Sequence, residues 1–263
     1  MTENRFPILG TEVQAFCWPD ITNLIHHAVV RRERRIILHH NLHSLYVYHH
    51  DDKVAALYDT ADHVYVDGMS LIFLGRCLGF PLEHRHRTTL LDSFEALAAE
   101  AARRNWRVLY LGSKPGVGAK GAGILMKRFP TLTISTLSGY FDARATSREN
   151  KAIIEAINAF QPDLLLVGMG VPRQEHWILE NLHLLPPVAI VTAGATMDYI
   201  TGEISTPPSW AGPLGLYWFF RLLSEPRRLW RRYLIEPWYL LDLFLAQLSS
   251  KRPPFTPQGK PSH

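Results

Sequence analysis

Residues 108–128, VLYLGSKPGVGAKGAGILMKR, decide how this chain folds. Val108-Leu109-Tyr110-Leu111 is apolar without alternation, so it predicts a short strand buried on both faces. The glycines at 112, 116 and 118 and Pro115 mark a turn. Residues 116–128 then carry helical spacing. The same unit repeats downstream. Leu132–Thr136 reads as a strand and 148–160 as a helix, Leu164–Val167 as a strand and 173–182 as a helix, and Val188–Thr192 as a strand. Upstream, Ile36-Ile37-Leu38 reads as a strand running into His39-His40-Asn41, and 52–60 as a helix. Val64–Val66 reads as a strand stopping at Asp67-Gly68, Met69–Leu78 as a helix packed on most sides, and 91–104 as an amphipathic helix. This alternation predicts an α/β fold: a Rossmann-like, mostly parallel sheet with helices on both faces. Ligands of such sheets bind beyond the carboxyl ends of the strands.

The outer segments differ in character. Residues 1–35 form a mixed N-terminal segment ending in the basic run Arg31, Arg32, Arg34 and Arg35, and residues 36–210 form the Rossmann-like domain. Pro207-Pro208 and Pro213 break the pattern. Residues 211–250 predict a helical appendage, and the Pro-rich residues 251–263 a disordered tail.

Composition narrows the class. The 263 residues are 47% apolar and 20% charged, which excludes a mostly disordered chain. A net charge of +4 is too small to argue for nucleic acid. Cys17 and Cys77 are too few for a disulfide scaffold or a cysteine zinc site. No apolar run reaches the roughly 18–20 residues that span a bilayer, and the first residues lack signal-peptide design. A cytoplasmic protein, or one held on a cytosolic surface without crossing it, is the expectation.

Each strand end offers candidate chemistry beside a bland alternative. His39, His40 and His43 come from one stretch, whereas a metal site needs ligands converging from several elements. They read either as loop histidines or as polar contacts to a ligand, with Asn41 the best contact candidate. Asp67 is either a helix N-cap or a carboxylate serving as general base. His84-Arg85-His86-Arg87 suits an anion or is a solvated basic turn. Gly112, Lys114, Pro115 and Gly116 form a loop whose backbone N–H groups could approach phosphate. That loop is neither a Walker A sequence nor the G-x-G-x-x-G fingerprint. Gly168, Gly170 and Gln174 follow one strand, with Glu175 suited to the helix dipole, and Gly194 follows another. Together these ends predict a crevice for a phosphorylated, nucleotide-sized ligand.

The appendage sets Arg221, Arg227, Arg228, Arg231 and Arg232 among Trp218, Phe219, Phe220, Trp230, Tyr233, Trp238 and Tyr239. Arginine with interfacial aromatics is the composition of a helix lying in lipid headgroups. Some of these arginines could also bind diphosphate. The alternative is an ordinary docked helix with a solvated arginine face.

The stretches ADHVYVDGMSLIFLGRCLG, RVLYLGSKPGVGAKGAGIL, SGYFD, PDLLLVGMGVPRQEHWI, TAGATMDYITGE and LGLYWFFRLLSEPRRLWRRYL, in this order, resemble the WecG/TagA/CpsF family of bacterial glycosyltransferases. The resemblance runs from about residue 36 to about residue 240. It implies inverting transfer of a hexose or N-acetylhexosamine-type sugar from a UDP-sugar to a polyprenyl-diphosphate-linked acceptor, without a bound metal or other cofactor. Teichoic acid, capsule or exopolysaccharide assembly would be the setting, on the inner face of the cytoplasmic membrane. A homo-oligomer is compatible with this reading. The family's base falls on Asp67, its strand-end Asn on Asn41, its Arg on Arg87 and its motif Gln on Gln174. Its Gly-x-Lys-Pro-Gly loop falls on Gly112, Lys114, Pro115 and Gly116. Two departures stand out. His39 occupies a position that is usually Thr, and Arg87-Thr88-Thr89-Leu90-Leu91-Asp92 replaces a stretch that often carries Gly. A donor other than N-acetylmannosamine is therefore an option. A different nucleotide-sugar enzyme, such as an epimerase, or a non-catalytic membrane adaptor are the alternatives.

Overall fold

A computed structural model of the chain describes residues 5–250. A hairpin of β1 (Arg5–Ile8) and β2 (Thr11–Gln14) leads into α1 (Trp18–Arg31) and β3 (Arg35–His40). Next come α2 (Leu42–Tyr48), α3 (Asp52–Thr60), β4 (His63–Val66), α4 (Met69–Cys77) and α5 (Leu90–Arg104). The regular middle runs β5 (Arg107–Gly112), α6 (Val117–Arg128), β6 (Thr133–Ser138), α7 (Arg148–Phe160), β7 (Leu164–Gly168), α8 (Arg173–Asn181) and β8 (Ala189–Thr192). A short α9 (Thr196–Ile200) precedes α10 (Tyr217–Ser224), α11 (Pro226–Leu234) and α12 (Glu236–Ser249).

The eight strands form one sheet in the order β1-β2-β4-β3-β8-β7-β5-β6. Every pairing is parallel except the β1–β2 hairpin at one edge. The apolar strands divide their side chains between two cores, as period-2 geometry demands. Leu109 and Leu111 register with Leu165 and Val167, and all four join the core that takes in residues of α2, α3, α7, α8 and α12. Val108 and Tyr110 register with Leu164 and Leu166 and join the other core, with α1, α5, α6 and α9. The expected two-faced α/β sheet is therefore present.

The cores are finished by satisfied polar groups. Trp177 on α8 is fully buried, and its indole N–H donates to Asn150 Oδ1 at 2.7 Å. Asn150 Nδ2 donates to Asn181 Oδ1 at 2.7 Å, and Asn181 Nδ2 donates to the Trp177 carbonyl at 2.8 Å. This closed circuit ties α7 to α8 without leaving those amides unpaired, a defect that costs about 1–3 kcal/mol per group.

Residues 5–31 are built into the sheet and its helix layer. The Gln14 carboxamide accepts from the Val64 backbone N–H at 3.1 Å, stitching β2 to β4. α1 buries Ile21, Ile25 and Ala28, one face at i, i+4, i+7. At the other end of the chain, prolines partition the appendage. Pro226 and Pro237 sit in the first turns of α11 and α12, where a missing N–H costs nothing. α12 buries Leu240 and Phe244 in the first core, and Gln247 donates to the Pro7 carbonyl and accepts from the Leu9 N–H. α12 thus fastens onto the β1–β2 hairpin. The sequence-predicted disordered tail, 251–263, lies outside the described residues.

Chain direction explains where a crevice opens. After β3 the chain passes to α2 and α3 over one core, whereas after β8 it passes to α9 over the other. β3 and β8 are neighbours, so their outgoing chains part between them. This is the switch point at which doubly wound sheets hold ligands.

Candidate active site

A cleft of about 1360 Å³ lies beyond the carboxyl ends of β3, β4, β5, β7 and β8 and is completed by residues of α10, α11 and α12. Asp67 follows β4 directly, its backbone N–H continuing the ladder to the His40 carbonyl at 2.8 Å. It is not the N-cap of α4. That position belongs to Gly68, at φ 113°, and no side chain caps the helix. The carboxylate is thus left for the cleft, with 24% of its side chain exposed.

Asn41 holds it. Its Oδ1 accepts from the Ser44 N–H at 3.1 Å, capping α2, and its Nδ2 donates to Asp67 Oδ2 at 3.3 Å. One amide therefore fixes a helix start and orients a carboxylate. Asp67 Oδ1 has no hydrogen-bond partner among the described residues and faces a cleft it can take a proton from.

The three neighbouring histidines go three ways. His39 sets Nε2 3.7 Å from Asp67 Oδ2 and Nδ1 3.1 Å from Thr192 Oγ1. Burial pushes the His39 imidazole below its ordinary range, against the pull of Asp67 and with the help of Arg232. His40 is wholly buried, stacks on Tyr58 with centroids 4.0 Å apart and meets Ser44 and Thr11. Burial drives it well below the ordinary imidazole range. His43 Nδ1 meets Glu236 Oε2 at 2.7 Å, joining α2 to α12 at the cleft wall.

On the far side of the sheet centre, Gln174 is buried at the start of α8. Its Oε1 accepts from the Gly170 N–H at 3.1 Å and its Nε2 donates to Glu175 Oε1 at 2.8 Å, so it shapes the 168–172 loop. Burial pushes the Glu175 carboxyl up to about 7. The N-termini of α4 and α8 open at this cleft, and helix N-termini favour negative charge.

Guanidinium groups supply the rest of the positive field. Arg87 bonds Asp92 at 2.8 Å and stands 5.2 Å over the Tyr217 ring, while the Tyr217 hydroxyl donates to Asp92 at 2.8 Å. This knot binds the start of α5 to the start of α10. Arg221 lies 5.7 Å over the Tyr199 ring and 3.6 Å from Glu225, which Arg228 also bonds. The Nε atoms of Arg221 and Arg232 are buried and have no hydrogen-bond partner among the described residues. Burial also pulls the Arg232 guanidinium below its ordinary range, since charge is costly where water is scarce.

Of the sequence-predicted residues, thirteen line this one cleft: His39, Asn41, Asp67, Arg87, Lys114, Gly168, Gly170, Gln174, Gly194, Arg221, Arg228, Arg231 and Arg232. Gly112, Pro115, Gly116 and Arg227 do not. Gly112 serves the backbone instead, because a Cβ there would stand 2.3 Å from the Gly168 carbonyl oxygen. Gly116 is the N-cap of α6 at φ 85°. Sequence reasoning missed Ser113 and Asp198, whose side chains bond at 2.8 Å in the cleft, and Tyr217, Glu225 and Glu236. Asp198 carried a signal, four residues after Gly194 at a strand end. Ser113 lay inside the Gly112–Gly116 loop, and Tyr217, Glu225 and Glu236 lie where only the packing of the appendage reveals them.

A doubly wound sheet whose switch-point cleft joins an oriented carboxylate to a cluster of arginines defines an α/β protein equipped to handle an anionic ligand. The chain belongs to the glycosyl transferase WecG/TagA/CpsF family, whose model matches residues 6–253. It is also 30% identical over 205 residues to an N-acetylglucosaminyldiphosphoundecaprenol N-acetyl-beta-D-mannosaminyltransferase of Bacillus spizizenii. That alignment covers 78% of this chain and 77% of the relative.

Proposed function

We propose that this chain is an inverting glycosyltransferase that moves a hexose or N-acetylhexosamine-type sugar from a UDP-sugar to a polyprenyl-diphosphate-linked acceptor in cell-surface polysaccharide synthesis. The observation that carries the reading is Asp67, oriented through Oδ2 by Asn41 and open to the cleft through Oδ1. In the proposed step the acceptor hydroxyl oxygen attacks the anomeric carbon. Its proton passes to Asp67 Oδ1, the bond from that carbon to UDP breaks, and the leaving diphosphate carries away the electron pair. One displacement inverts the anomeric centre. Charge growing on UDP is met by groups already in place: Lys114, the α8 N-terminus and the cleft arginines.

A lipid-linked acceptor stays in its bilayer, so the enzyme must come to it. No helix among the described residues is long and apolar enough to cross a membrane. Trp218, Phe219, Leu223, Trp230, Leu234 and Trp238 are exposed on α10–α12, beside the cleft arginines. Indole rings with arginine suit insertion among headgroups from one side. We place the enzyme peripherally on the inner face of the cytoplasmic membrane, where a UDP-sugar and the lipid acceptor meet.

The test is a panel of UDP-sugars offered with a polyprenyl-diphosphate-linked N-acetylglucosamine acceptor, read as UDP release. At least one donor is expected to turn over, and Asp67→Asn to lower kcat about 10²–10⁴-fold. Transfer by Asp67→Asn near the wild-type rate would falsify the base assignment. Failure of every donor with this and related lipid acceptors would sink the transferase reading.

A further inference from the structure

The Asp67 carboxylate has a second neighbour that neither helix capping nor core packing explains. β3 lies between β4 and β8, and the His39 ring reaches toward both. Nδ1 contacts Thr192 Oγ1 on β8 at 3.1 Å, and Nε2 stands 3.7 Å from Asp67 Oδ2 at the end of β4. The ring also packs on Tyr65, with centroids 5.5 Å apart, and the Tyr58 hydroxyl donates to the His39 carbonyl at 2.7 Å. Backbone and ring are therefore both fixed.

This geometry selects a tautomer. A lone pair on Nε2 would face the carboxylate and be repelled, whereas an N–H there is attracted. With the proton on Nε2, Nδ1 is the acceptor, and the Thr192 hydroxyl is its donor. Thr192 is wholly buried and its hydroxyl has no other partner among the described residues.

We propose that His39 is a positioning residue for the base: held by Thr192 in its Nε2–H form, it donates to Asp67 Oδ2 in the substrate-loaded site. The inference rests on the reading of Asp67 as base. At 3.7 Å the contact is longer than a hydrogen bond, and it shortens when the acceptor seats, as contacts in unloaded active sites do. Asn41 and His39 then share Oδ2, and Oδ1 is left as the oxygen that meets the hydroxyl. The groups bearing on His39 are Asp67 beyond β4, Tyr65 on β4, His40 on β3, Tyr58 on α3 and Arg232 on α11.

The experiment compares the full-length wild type with Asp67→Asn, His39→Leu, His39→Gln and Thr192→Val. The donor is whichever UDP-sugar releases most UDP in the panel above. His39→Leu is expected to lower kcat about 10–100-fold, the scale on which supporting residues act. Donor KM is expected to change less than about threefold, because the effect falls on the transition state. His39→Gln, which restores an N–H near Nε2, recovers most of the loss.

Thr192→Val keeps the packing volume and loses only the hydroxyl. It is expected to lower kcat about 3–10-fold with donor KM nearly unchanged. Nitrogen-15 spectra of histidine-labelled wild type are expected to show His39 protonated at Nε2, and those of Thr192→Val a mixture of tautomers. An Nδ1–H form in the wild type overturns the proposal. So does a His39→Leu effect confined to donor KM with kcat unmoved. Near-wild-type transfer by Asp67→Asn would instead sink the base reading itself. A dead Asp67→Asn beside a wild-type-like His39→Leu removes His39 alone.

Discussion

Buried charge is the dominant issue at the scale of single residues. Glu175 is wholly buried behind Gln174, and its Oε2 has no hydrogen-bond partner among the described residues. Its carboxyl rises from an ordinary 4.5 to about 7 because burial penalises the charged form. The folded state therefore holds a proton that the unfolded chain releases near pH 4.5. The associated stability is complete below about pH 4.5 and is lost as pH rises through about 7, to a total of about 3 kcal/mol. Glu175→Gln keeps the acceptor that Gln174 uses and removes this slope. Urea melts at pH 5 and pH 8 are expected to show the variant gaining on the wild type at pH 8. An equal pH dependence of the two proteins would contradict the account. Asp67 was legible in sequence because it ends an apolar strand, but its freedom from capping was not. That depended on Gly68 taking the cap at positive φ. The histidines show the same limit. His39 and His40 are adjacent and alike in sequence, yet alternate strand geometry sends one to the cleft and the other to a stack on Tyr58.

Among elements, those with a strong period were legible and those set by partners were not. The run from β5 to β8 follows from apolar strands, the half-buried edge strand β6 and amphipathic helices, and its observed bounds differ from expectation by a residue or two. The β1–β2 hairpin escaped notice for a physical reason. Its two-residue turn is Leu9-Gly10, both at positive φ, where the recognisable signal would be Asn-Gly or Asp-Gly. Pro7 in β1 argued further against a strand and is tolerated because β1 is the edge. The appendage was legible in composition but not in its division into three helices, nor in the inward turn of Leu240 and Phe244. Its outward face carries the membrane prediction. Paired Trp230→Ser and Trp238→Ser changes are expected to weaken sedimentation with anionic liposomes, and truncation near residue 212 to abolish it and to lower activity on long-chain acceptors. Unchanged sedimentation of the truncated chain would end the membrane role.

At the scale of the whole molecule, the net charge of +4 describes little, because four arginines of the appendage, 221, 228, 231 and 232, converge on one cleft. The proposed chemistry asks these cations, rather than a divalent ion, to meet the diphosphate. Sugar transfer is therefore expected to survive excess EDTA. Complete loss, restored by a divalent ion, would assign the diphosphate contacts differently. The fastening of Gln247 to Pro7 and Leu9 also bears on how the protein is born. A ribosome delivers Pro7 240 residues before Gln247, its partner. The cleft wall made by Arg221–Glu236 rests on Tyr199 and His43, and it gains the tie through Gln247 only once that residue is outside the exit tunnel. The hairpin thus waits through the synthesis of every other strand of the sheet before α12 closes back on it.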